Sequence, residues 1–154
     1  MKTYFLIASI LLIRTVSVAQ VSTDSEIKQD LIVGFVCSID GSTTDYITKV
    51  SKKLWHRDFQ YFEEKLYSNK ASEQFVSCIV LKILHDKNLR VLNKEEDHYI
   101  NNLSKSKKSF MYCYGCADYS RITLKEGLDI KNPKRLKLDA IELFEQILTL
   151  EIPK

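Results

Sequence analysis

An all-α fold, a compact bundle of five or six short helices held by two disulfides, is what this sequence predicts. Three observations carry the prediction. The 154 residues include only four Gly and two Pro, so few turn signals interrupt the apolar pattern. Cap residues followed three positions later by Glu recur ahead of apolar runs, which is the signature of a helix start. Segments with strictly alternating faces, the mark of half-buried strands, are hard to find.

The elements follow in order. Thr23-Asp24-Ser25-Glu26 has the form of a capping box and opens a helix with Ile27, Leu31 and Phe35 on one face, ending between Cys37 and Asp40. Gly41-Ser42-Thr43-Thr44 breaks the chain and supplies a new cap. From Asp45 to about Tyr67, Ile47, Val50, Leu54, Phe62 and Leu66 keep helical spacing, and Trp55, Phe59 and Tyr61 widen the stripe. Ser68-Asn69-Lys70 is the next break. Phe75 to Leu84 is polar only at Ser77 and Lys82, and a helix apolar on nearly all sides belongs at the centre of its fold. Asn93 and Glu96 start a short helix through Tyr99, Ile100 and Leu103. Phe110 to Tyr119 is expected to be helical as well. The last helix has Asn132 as cap, Pro133 at the first position, and Ile141, Phe144, Ile147 and Leu148 on its buried face.

The first residues point to an address. Lys2 is followed by an apolar run from Tyr4 to Ile13, and Ser17-Val18-Ala19 supplies small residues for cleavage before Gln20. This is the pattern of a secretory signal peptide. A transmembrane helix needs roughly 18 apolar residues or more, and Arg14 stops this run at about ten. The expected organisation is therefore a signal peptide at 1–19 and a single helical domain at 20–154, secreted and extracellular, with no membrane span in the mature chain. Lys2 and Arg14 leave with the signal, so the formal charge falls from +3 to +1. A nucleic-acid partner needs a concentrated positive field. The local candidate, Lys105-Ser106-Lys107-Lys108, reads as a solvated connector, so no nucleic acid is expected.

Cys37, Cys78, Cys113 and Cys116 form an even set in an oxidising compartment. Cys113 and Cys116 lie one helical turn apart, and the expectation is that each reaches a different helix, those carrying Cys37 and Cys78. The alternative takes Cys113-Tyr114-Gly115-Cys116 as the C-x-x-C of a thiol oxidoreductase. That chemistry wants a preceding strand and a helix N-terminus to lower the thiolate pKa, and neither is read here.

Other reactive patterns are missing. His56, His85 and His98 are far apart and fit no metal-ligand spacing, so no metal and no cofactor is expected. Glu63-Glu64 and Glu95-Glu96-Asp97 read as solvated helix faces. No serine sits in G-x-S-x-G, and the chain lacks a Gly-rich phosphate loop. Asn102-Leu103-Ser104 is an N-glycosylation sequon.

The aromatic residues concentrate at Trp55–Tyr67 and Phe110–Tyr119. Two such segments could line a cavity between helices, with Trp55, Phe59, Phe62, Phe110 and Tyr114 at a bound ligand. The resulting expectation is a secreted non-enzymatic binding protein carrying a small hydrophobic ligand. Its rival is an effector or signalling protein that contacts another extracellular protein through an exposed patch.

Overall fold

The structure, a computed structural model, describes residues 31–37, 39–115 and 118–150. In chain order these form β1 (Val33–Val36), α1 (Asp45–Trp55), α2 (Phe59–Leu66), α3 (Ala71–Asp86) and α4 (Lys94–Leu103). Then come β2 (Ser109–Tyr114), β3 (Asp118–Thr123), α5 (Leu124–Gly127) and α6 (Leu136–Thr149). The fold is therefore α+β, and the all-α expectation is overturned. The expected signal peptide and the Thr23-to-Glu26 helix start lie outside the described residues.

Two expected helices are strands. Ile32 to Val36 is a short apolar run containing three β-branched residues, and runs of that length carry no period that tells strand from helix. Tertiary pairing decides: β1 runs parallel to β2, with Val33 opposite Tyr112 and Val36 opposite Tyr114. The second is the Phe110–Tyr119 segment, where Phe110, Tyr112 and Tyr114 recur every second residue, the period of a strand. It forms an antiparallel pair of β2 with β3, from Ser109 opposite Thr123 to Tyr114 opposite Asp118. The sheet order is β1-β2-β3, and α1 to α4 make the crossover that a parallel pair requires.

The expected two-disulfide framework is also corrected. Among the described residues there is one disulfide, Cys37–Cys113, with Cα atoms 5.2 Å apart. Strand register explains it, because Cys37 follows Val36 and Cys113 precedes Tyr114, its partner across β1 and β2. Cys78 is a free, buried thiol in α3, and Cys116 lies outside the described residues. Gly34 makes the close approach possible. A Cβ there would sit 2.7 Å from Thr44 Cγ2 and 3.3 Å from Cys113 Cβ, where the loop into α1 folds over the strand.

The long helix expected from Asp45 to Tyr67 breaks in two. Arg57 takes a left-handed conformation at φ 57°, and Asp58 caps α2 by accepting from the Tyr61 amide at 3.3 Å. The last helix starts later than its Asn-Pro signal, at Leu136, after Arg135 in a left-handed turn. Other readings match the structure. Asn93 and Glu96 make both bonds of the capping box at the start of α4, and Phe75 to Leu84 lies inside α3 at the centre. Helix α3 packs against α2, α4, α5, α6 and β2, and its apolar side chains are almost all buried. No helix among the described residues is long and apolar enough to cross a membrane.

Candidate functional site

The five aromatic residues expected at a ligand are not gathered around one cavity. Phe62 and Phe110 are fully buried. Phe110 stacks on Phe75 of α3 with ring centroids 4.9 Å apart, and α3 packs on one side against α2 and on another against β2. Phe59 is half-buried against the core, while Tyr114 is exposed on the last residue of β2. Trp55 lies at the end of α1 and lines an open concavity of about 530 Å³ with Leu143 and Ile147 of α6. Thr43, Thr48, Ser51, Lys52 and His56 complete that wall. Asn102 is exposed near the end of α4, 2.9 Å from His98 Nε2.

A second concavity is more closed. It holds about 350 Å³ between α3, α4, α6 and the turn after α5, within the usual range for small-molecule sites. Helical spacing builds it. Cys78, Lys82 and Asp86 recur every fourth residue on one face of α3, with Ile79 and Ile83 beside them. Lys137, Ile141 and Glu145 repeat the pattern on α6. Ile100 of α4 and Leu128 and Ile130 after α5 close the apolar lining. Ile79, Ile83, Ile100 and Leu128 are buried, so the floor is apolar and the polar groups stand at the rim.

The charges on that rim are ordered. Lys87 binds Glu145 at 3.0 Å, beside the C-terminal end of α3. At the other end, both Lys82 and Lys137 act on the Cys78 thiol. The two helices therefore run parallel across the groove, with a basic end near Cys78 and an acidic end near Asp86 and Glu145. Burial pushes the Cys78 thiol up to about 11, against the pull of the two lysines. At neutral pH it stays protonated, and a protonated thiol is a poor nucleophile. Within the expected C-x-x-C, Cys113 is bonded to Cys37.

Sequence reasoning missed the groove because it weighed aromatic density. The available signal was the i, i+4 spacing of Cys78-Lys82-Asp86 on the apolar α3 and of Lys137-Ile141-Glu145 on α6, which places charged residues beside isoleucines on one face of each helix. No family model, curated protein or solved structure matches the chain.

Proposed function

We propose that the mature chain, residues 20–154, is a secreted non-enzymatic binding protein whose cargo is a small, largely apolar molecule held in the α3–α4–α6 groove. The observation that supports this most is the groove itself, about 350 Å³ over an isoleucine-rich floor with charges confined to its rim. Burying an apolar ligand there gains roughly 25 cal/mol per Å² of apolar surface removed from water. The signal pattern of residues 1–19 supports secretion, and exposure of Asn102 supports glycan attachment. Expression in a secretory host followed by intact-mass measurement reads both: a mature start at Gln20 and a mass increment lost in Asn102→Gln. A product retaining residues 1–19 would count against secretion.

Ligand binding is tested by thermal shift. A ligand present at about 100 times its Kd stabilises the fold by about 2.7 kcal/mol, a rise of several degrees for a domain of this size. Ile141→Trp, which fills the groove, should abolish the rise. Trp55, the single tryptophan, distinguishes the two concavities. A ligand in the α3–α6 groove leaves its fluorescence unchanged, whereas one in the α1–α6 concavity does not. If no apolar compound raises the melting temperature, the carrier reading falls.

One observation favours the effector reading instead. Val36, Ile39, Tyr114 and Tyr119 are exposed hydrophobic residues at the disulfide end of the sheet, with Val36 beside Tyr114 and Tyr119 beside Cys113 in register. Replacement of these four by Ser should leave groove binding intact and abolish any contact made through that end.

A further inference from the structure

We propose that the groove selects an amphiphile with one carboxylate, its headgroup held between Lys82 and Lys137 and its chain laid along the isoleucine floor. This rests on the groove being the ligand site, and it adds the chemical class of the ligand and the direction in which it lies.

The argument starts from compensation of charge. At the acidic end, Glu145 has its own cation in Lys87 at 3.0 Å, and Asp86, without an ion-pair partner among the described residues, is exposed to solvent. At the basic end, neither Lys82 nor Lys137 has an ion-pair partner among the described residues. Two half-buried lysines from separate helices thus line the same groove without ion-pair partners of their own. Both line the groove together with Cys78, and the Lys87–Glu145 contact joins α3 and α6 at the opposite end, eight residues along α6 from Lys137. Lys137 also stands in the first turn of α6, where the helix dipole adds partial positive charge to the same end.

The floor fixes the rest of the ligand. The floor between the lysines and the acidic end is Ile79, Ile83, Ile100, Leu128 and Ile141, while Asn101 and Ser104 stand exposed at the α4 rim, where Asn101 donates to Asp97 and Ser104 to the Asn101 carbonyl. A ligand with one charged end and an unbranched apolar body matches this order. Its carboxylate accepts charge-assisted hydrogen bonds from two lysines, and its chain replaces water over the isoleucines.

The test titrates the mature protein with decanoate, 1-decanol and decylamine, which share one chain and differ in the headgroup. Decanoate should bind about tenfold tighter than decanol, the factor expected for one good charge-assisted contact, and decylamine should bind weakest. Lys82→Met with Lys137→Met should remove the preference, so that decanoate binds no tighter than decanol. The unliganded melting temperature of that variant checks that the fold persists, as expected where neither lysine holds an ion pair. Equal affinity for decanoate and decanol, or a preference for decylamine, would overturn the headgroup assignment while leaving the groove as the ligand site. Binding of none of the three would overturn the groove reading and this inference together. Decanoate binding that survives Ile141→Trp would place the ligand elsewhere and overturn both as well.

Discussion

Replacing Arg90 by Met tests the link that fastens α4 to α2 through the loop after α3. Arg90 Nε donates to Glu63 at 2.7 Å, and its Nη2 donates to Glu96. The two carboxylates contribute unequally, since the Glu63 side chain is 40% exposed and the Glu96 side chain only 6%. The Glu63 half is a surface pair worth at most about 1 kcal/mol. The Glu96 half matters more, because loss of the arginine strands a buried carboxylate, a change that costs about 3–5 kcal/mol when nothing else compensates it. Here the Asn93 amide still donates to Glu96 at 2.9 Å, which lowers the expected loss to about 2–3 kcal/mol. With a urea m-value of about 2 kcal/mol/M, the unfolding midpoint should fall by about 1–1.5 M. Adding Glu96→Gln to Arg90→Met should recover part of that loss, since a neutral amide keeps the Asn93 bond and needs no cation. A loss below about 0.5 kcal/mol, or additive effects in the double-variant cycle, would refute the buried-charge account.

Gly127→Ala should destabilise by about 1–3 kcal/mol through overpacking. Its Cβ would lie 3.1 Å from Phe110 Cζ and 3.2 Å from Phe75 Cε2, two fully buried rings with no room to retreat; calorimetry reads the change. Removing the disulfide with Cys37→Ser and Cys113→Ser should cost about 4–5 kcal/mol in the chain-entropy model, for a separation of 76 residues; urea unfolding measures it. Stability should also fall as pH drops from about 5 to about 3. Lys53 holds Asp58 below its ordinary value, and the Thr123 hydroxyl holds Glu126 down in the same way. Burial opposes ionisation of Glu96, yet the bonds from Arg90 and Asn93 outweigh it and hold that carboxylate low too. Carboxylates depressed in the folded state contribute their stability above the unfolded pKa and lose it as pH falls through the folded one. Asp139, raised by burial, works in the opposite direction. A flat melting temperature across that window would refute the assignment.

The central helix, its neighbours and the cap of α4 were legible because each rests on local chemistry. Asn93 and Glu96 satisfy each other's backbone donors whatever surrounds them, and the apolar run of α3 needs only a core. The strands were not legible in the same way. Ile32 to Val36 becomes a strand because β2 arrives from far along the chain to pair with it, and a short apolar run does not announce that. The Phe110-Tyr112-Tyr114 alternation carries the period of a strand, but the aromatic density of the same segment masks it. The break at Arg57 left no signal, since a left-handed residue there is Arg and not Gly. Of the expected ligand residues, Trp55 lines a concavity, whereas Phe62 and Phe110 fill the core on either side of α3. Aromatic clustering reported a packing centre, and the groove was written instead in the i, i+4 spacing of charged residues on α3 and α6.

The parallel seam between β1 and β2 has a consequence for biosynthesis. A chain made from its N-terminus presents Cys37, then Cys78, and Cys113 only later, so oxidation meets the non-native partner first. In the oxidising compartment proposed above, a Cys37–Cys78 bond would trap β1 away from its sheet until it was exchanged. The apolar helix around Cys78 opposes this. Once α3 is packed, that thiol is sheltered and protonated, and exchange proceeds through the thiolate. Since α6, which follows β2 in the chain, helps to line the groove around Cys78, the thiol is withdrawn from exchange as the fold closes, and the Cys37–Cys113 bond is then the one that lasts.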